Sequence, residues 1–216
     1  MNEIKVCVFD WDGTLVDSEK HIVDSLTYAA EKLALPSLSY EVKKDIIGLS
    51  MHKALETLYP VLSMADIEKM RMHYGEYFFS VPQNNQSLFN LVEKTLADLK
   101  SKGYKLAVAT GKSRNGLDKA LVSTGLKRFF DIERCADETR SKPDPLMLSE
   151  IADYYGVGAS DMLMVGDTEF DLGMASNFGS PSLGVSYGVH EVSRLEKYKP
   201  LGIIDCISEI HRYLDL

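Results

Sequence analysis

Short apolar runs that end in aspartate, alternating with stretches of helical periodicity, predict an α/β fold in which a parallel sheet lies between layers of helices. Three observations carry this. Residues 4–9, IKVCVF, form a β-branched apolar run closed abruptly by Asp10 and Asp12. Residues 162–167, MLMVGD, repeat that pattern late in the chain. Between about residues 18 and 80 there is no strand pattern, and helical spacing takes over.

Taken in order, residues 4–9 read as a buried strand that delivers carboxylates at its C-terminal end. A helix from about Ser18 places Ile22, Leu26, Ala29, Ala30 and Leu33 on one face, and Pro36 and Ser37 close it. Further helical patterns follow, one from about Ser63 with Ile67, Met70, Tyr74, Tyr77 and Phe78 on one stripe. Residues 81–87, VPQNNQS, break both periodicities and read as a return linker. Leu88, Leu91, Val92, Leu96 and Leu99 then mark a helix stopped near Gly103, and residues 104–109 a buried strand. Leu117, Ala120 and Leu121 mark a helix ending at Gly125; a strand near Ile132 and a helix capped by Asp144 and started by Pro145 come next. The rhythm predicts a parallel-sheet, Rossmann-like core of residues 1–16 and 83–216, with residues 17–82 inserted as an all-helical cap. The site is expected beyond the C-terminal ends of the strands.

Composition narrows the partners. The 32 acidic and 24 basic residues give a net charge of -8, a field that repels nucleic acid and anionic lipid. Cys7, Cys135 and Cys206 have no metal-ligand spacing, and the first two lie in apolar stretches that suit core thiols. No leader pattern and no run of about 18 apolar residues is present, so a reducing cytoplasm is the expectation. A monomer or a homodimer fits equally well.

Residues 109–113, ATGKS, end in the letters of a nucleotide-binding P-loop. That motif needs a glycine five positions before Gly111, and Leu106 stands there, in the middle of a strand. Thr110 at a strand end, with Gly111 beside it, is what survives, and Lys112 reads as a bystander in the first turn of the next helix.

In a parallel sheet, Asp10 and Asp12, Thr110, Lys142, and Asp167 with Asp171 converge at one end. Carboxylates this close stay ionised together only beside a cation, and oxygen ligands at a compact site suit Mg²⁺. Read singly, residues 166–171, GDTEFD, also suit a helix N-cap, Lys142 an exposed loop and Thr110 an ordinary strand end. The run VCVFDWDGTL is more specific, since it joins a buried strand, a D-x-D pair and a glycine-threonine turn.

Together DWDGT, ATGK, SKPDP and VGDTEFD resemble, in order, the four motifs of the haloacid dehalogenase-like hydrolases, phosphoglycolate phosphatase-like branch. The resemblance covers residues 3–17 and 88–190, and the helical insertion is similar to that family's cap. It implies Asp10 as nucleophile forming an aspartyl-phosphate, and Asp12 as general acid and then base. It implies Thr110 and Lys142 as ligands of the transferring phosphoryl group, with the Gly13 and Gly111 amides approaching phosphate and Thr14 among the substrate-facing residues. Mg²⁺ would be held by Asp10, the Asp12 backbone carbonyl and Asp167, with Asp171 supporting through water.

Gly111 departs from relatives that carry a polar residue there, so only its amide can contribute. Asp12 argues against dehalogenation, because halide leaves without a proton. Sugar phosphomutase of the β-phosphoglucomutase type is the alternative. Its relatives carry an arginine where Met51 follows Gly48, Leu49 and Ser50, and a histidine one position beyond where His21 lies. The balance favours a phosphatase acting on a small phosphorylated metabolite, phosphoglycolate first. Gly48, Ser50 and Lys53 are the expected substrate-facing cap residues; Lys53 either meets a second anion of the substrate or is solvated. Hinges are expected near Val16 and Val81.

Overall fold

The computed structural model describes residues 3–80 and 87–214. Six parallel strands form the sheet: β1 (Val6–Phe9), β4 (Lys105–Thr110), β5 (Ile132–Cys135), β6 (Met162–Gly166), β7 (Ser182–Val185) and β8 (Gly202–Ile204). Their order is β5-β4-β1-β6-β7-β8, with Phe9 level with Val108 on one side and Val165 on the other. The chain runs outward from β1 through β4 to β5, then returns to build the other half from β6. That reversal opens a crevice at the C-terminal ends of the central strands.

Both faces of the sheet are covered, which is why the strands read as continuous apolar runs. Val6 and Val8 face one side with Ala107, Ala109, Met162 and Met164, against α7 (Leu146–Tyr155) and α8 (Glu169–Phe178). Cys7 and Phe9 face the other with Leu106, Val108, Leu163 and Val165, against α5 (Val92–Ser101) and α6 (Arg114–Thr124). Cys7 and Cys135 are buried thiols as expected.

Residues 19–80 hold only helices: α1 (Glu19–Lys32), α2 (Tyr40–Lys44), α3 (Met51–Leu58) and α4 (Met64–Ser80). They gather their own apolar cluster, with Leu26, Leu55, Met70 and Phe78 at its centre and Val189 joining from the core. A two-residue antiparallel ribbon, β2 (Val16–Asp17) with β3 (Ser87–Leu88), ties together the two ends of the segment. The expected linker residues 81–86, the hinge near Val81 and the boundary at residue 82 lie outside the described residues.

Several boundaries differ from expectation for local reasons. Leu88 belongs to the ribbon, and Leu91, left-handed at φ 64, stands exposed before α5, so the apolar stripe overran the helix start. Helix α1 stops at Lys32, before Pro36 is reached, because the Leu33 amide turns back to Ala30, the Ala34 amide to Glu31, and Ala34 adopts φ 51. Tyr74 and Tyr77 are half-buried while Ile67, Met70 and Phe78 are buried. Pro145 is the residue before α7 rather than its first, although Asp144 does accept a hydrogen bond from the Leu146 amide at 3.0 Å.

Candidate active site

Strand β1 ends at Phe9, but the Asp10 amide still donates to the Val165 carbonyl at 2.9 Å. The ladder thereby carries Asp10 to the rim of the crevice with its carboxylate 1 % exposed. Lys142, from the loop before α7, is fully buried and donates to Asp10 Oδ1 at 2.6 Å and to Asp171 Oδ1 at 2.5 Å. Asp10 Oδ2 is buried with no hydrogen-bond partner.

Asp167 follows β6, and Asp171 lies in the first turn of α8. Asp167 accepts from the Thr14 hydroxyl at 2.7 Å and from the Val189 amide at 2.9 Å. Asp171 Oδ2 accepts from the Thr168 amide and hydroxyl, and the Thr168 hydroxyl in turn accepts from the Asp171 amide, a capping box at the start of α8. The N-cap reading of GDTEFD therefore applies to Thr168, while both aspartates turn inward. Thr14, expected to face substrate, has its hydroxyl committed to Asp167.

Asp12 sits one step outward, 7 % exposed, accepting from Ser18 Oγ at 2.5 Å and Lys112 Nζ at 2.9 Å. Thr110 is buried at the end of β4, where its hydroxyl accepts from the Lys112 amide at 3.2 Å. Lys112 is no bystander: it precedes α6, which starts at Arg114, and its ammonium also stands 4.9 Å from the centre of the Phe78 ring. The expectation of a first-turn residue failed because Ser113 caps a helix that starts at Arg114, so Lys112 precedes the helix and reaches Asp12.

The site's charges explain its proton affinities. Burial, opposed by Lys142 and reinforced by Asp171 and Asp167, holds the Asp10 carboxyl well above the ordinary carboxylate range. Burial and the neighbouring Asp171 push Asp167 up to about 7. Burial works against charge on Lys142, but Asp10 and Asp171 outweigh it and raise its ammonium above the usual value.

Oxygen atoms of Asp10, Asp167 and Asp171 lie within 4.8 Å of one another. Three buried carboxylates face one buried ammonium, so the cluster is short of positive charge. An all-oxygen set with that deficit fits a hard divalent cation.

Two glycines make this packing possible. Gly13, at φ 80, has no room for a side chain because a Cβ there would run into the Asp167 carboxylate. A Cβ on Gly111 would lie 2.5 Å from the Leu49 carbonyl oxygen and 2.6 Å from that of Gly48. Gly111 is thus where the helical layer rests on the core. Ser50 adds to that contact: its amide donates to Ser141 Oγ at 2.9 Å, while its hydroxyl caps α3. Gly48, at φ 102, packs against Thr168. Lys53 points elsewhere, exposed and paired with Glu56 at 3.5 Å, so of its two readings the solvated one describes this structure. Near the rim, Arg194 clasps Asp45 of the helical layer and Glu169 of the core.

Between the layers lies a cavity of about 60 Å³. Its floor is Asp12, Gly111 and Lys112, and its roof includes Leu26, Met51 and Tyr74. Burial and the Asp12 charge hold the Tyr74 phenol well above its ordinary value, so it remains a donor. Ser18 and Tyr74 belong to none of the four motifs, and Thr168, inside VGDTEFD, carried no role in the sequence reading; the fold gives each of them its place at the site.

Comparison with known proteins agrees with this geometry. The haloacid dehalogenase-like hydrolase family matches residues 7–185. The chain is 34 % identical to a probable phosphatase, IndB, of Dickeya dadantii, over 94 % of this chain and 90 % of that protein. It is 29 % identical to a phosphoglycolate phosphatase of Vibrio parahaemolyticus, covering 96 % and 95 % of the two. A solved haloacid dehalogenase-like hydrolase from Bacteroides fragilis superposes with a TM-score of 0.90 at 25 % identity, covering 96 % of this chain and all of that one. The chain belongs to the haloacid dehalogenase-like hydrolase family. It is a phosphatase of that family, with a small phosphorylated substrate. No described helix is long and apolar enough to cross a membrane.

Proposed function

We propose that this phosphatase hydrolyses a short phosphomonoester, with phosphoglycolate as the leading substrate, through an aspartyl-phosphate on Asp10. The observation that supports this best is the meeting of Asp10, Lys142, Asp167 and Asp171 in one buried cluster with Asp12 at its outer edge. Phosphoglycolate comes from the Vibrio relative, whose name carries that substrate.

In this reading Asp10 Oδ2, the oxygen without a protein partner, attacks phosphorus opposite the leaving oxygen. Asp12 protonates that oxygen as the P–O bond breaks, then takes a proton from the water that hydrolyses the acyl phosphate. Lys142 and Thr110, with the Gly111 amide, hold the transferring oxygens and balance their charge; the Gly13 amide, expected to join them, donates instead to the Val16 carbonyl at 2.9 Å and so closes the turn after Asp12. Asp10, Asp167 and the Asp12 carbonyl, supported by Asp171, would hold Mg²⁺, which when bound neutralises phosphoryl charge and separates the carboxylates. Residues 17–82 act as a cap over a core of residues 1–16 and 83–216, and closure excludes bulk water while the phosphoryl group passes to Asp10, leaving room for the one water that then hydrolyses the acyl phosphate. Ser18 keeps Asp12 aimed along its working direction. Met51 in the roof, where the mutase relatives carry arginine, favours phosphatase over mutase.

A phosphate-release screen of small phosphomonoesters, run with Mg²⁺ and with EDTA, tests the reading. Release that needs Mg²⁺ and favours two- or three-carbon esters is expected. Release indifferent to EDTA, or confined to hexose phosphates with transfer exceeding hydrolysis, would overturn it.

A further inference from the structure

The cavity between the layers is apolar over most of its roof, yet its floor carries one ammonium. Among the described residues lining it, Lys112 and Asp12 are the only charged side chains. Lys112 has 8 % of its side chain exposed and is held at both backbone and ammonium, its carbonyl accepting from the Ala136 amide at 3.0 Å. Its amide donates to Thr110 Oγ1, its ammonium reaches Asp12 Oδ1 at 2.9 Å, and the Phe78 ring lies 4.9 Å away. The Asp12 carboxylate is the group set to protonate the leaving oxygen. A cation 2.9 Å from it therefore stands on the leaving-group side of the site, where a charge a few atoms beyond the ester oxygen would meet it. The volume, about 60 Å³, admits only a few heavy atoms beyond the phosphoryl group.

We infer that Lys112 is the specificity residue of the leaving-group cavity, selecting esters whose leaving group carries an anion two or three atoms from the ester oxygen. This rests on the phosphatase reading above and deepens it. The ammonium keeps Asp12 as one neighbour and takes the substrate anion as the other. Burial of a charged leaving group against Leu26 and Met51 is then compensated, where an uncharged one gains nothing from Lys112. Tyr74, a donor in the same roof, is placed to share the anion.

Three substrates separate the possibilities: phosphoglycolate, with a carboxylate; pyrophosphate, whose leaving group is itself an anion; and ethyl phosphate, with no second charge. Wild-type protein is expected to favour at least one anionic substrate over ethyl phosphate by at least about tenfold in kcat/KM. Lys112→Gln should lower that ratio by at least about tenfold, chiefly through KM, and Lys112→Arg should restore most of it. Which anionic arm responds identifies carboxylate or phosphate as the group bound. An unchanged ratio in Lys112→Gln overturns the inference, as does a wild type that handles ethyl phosphate equally well. In either case hydrolysis itself leaves the phosphatase reading standing, whereas absence of release from all three substrates contradicts that reading.

A measurement on wild-type protein alone covers a variant that fails to fold. Trp11, the single tryptophan, lies buried between Asp10 and Asp12 in sequence and reports on the site by fluorescence. Glycolate should perturb it at concentrations at least about tenfold below those of ethanediol. Equal concentrations for the two would count against an anion subsite.

Discussion

Asp10 and Asp12 lie two positions apart and meet opposite surroundings. Asp10 is sealed against Lys142 and two further carboxylates, while Asp12 faces the cavity with a serine and a lysine. That division suits a nucleophile and a proton carrier. Asp12→Asn is therefore expected to slow hydrolysis of an alkyl phosphate by about 10²-fold or more. An activated aryl phosphate, which needs less protonation, should lose less, and comparing the two rates checks the role. Asp167 gives a second prediction at this scale. Its carboxyl stands at about 7 in the fold against an ordinary 3.8, so without metal the folded protein holds a proton that the unfolded chain has lost. Stability of the metal-free protein should fall as pH rises from about 4 to about 7. Thermal melts in EDTA across that window, repeated with Mg²⁺, test this, with Mg²⁺ stabilising more at the higher pH because it needs the ionised form.

At the scale of elements, the helical layer meets the core through close backbone and polar contacts beside the packing of Val189. Gly111 accepts the Gly48 and Leu49 carbonyls against its bare Cα, Ser141 takes the Ser50 amide, and Arg194 joins Asp45 to Glu169. Gly111→Ala would hold the layers apart, since its new methyl would stand 2.5 Å from a carbonyl oxygen of the layer. The expected result is a protein that melts like wild type yet loses about tenfold or more in kcat, because the separated layers no longer hold the ester aligned with Asp10 and Asp12. The layer's own cohesion comes from its separate apolar cluster. Truncating Leu55, fully buried at its centre, should cost about 2–5 kcal/mol in a denaturant titration.

The whole molecule combines a sheet whose reversal creates the crevice with a helical insertion that roofs it. Much of this was legible in sequence because strands buried on both faces must be continuously apolar, and Asp10 and Asp167 interrupt two such runs at their ends. The inserted helices were legible from their spacing alone. What escaped depends on distance in space. Lys112 looks like a helix-start lysine until Ser113 is seen to cap α6, and Thr14 looks like a turn residue until Asp167 arrives from the far half of the chain. Leu91 shows the converse, an apolar residue in helical register that the left-handed turn before α5 leaves exposed. Lys53 shows that a cation in the expected loop need not face the site, since the helix carrying it turns its side chain to Glu56.

The central claim is that phosphate passes through Asp10. Wild-type protein mixed with labelled substrate and Mg²⁺, then quenched in acid within a turnover, tests it most directly. The account predicts label on the peptide carrying Asp10, none in EDTA and none in Asp10→Asn. Full turnover of the wild type with no label on that peptide, or phosphate release by Asp10→Asn at the wild-type rate, would contradict it.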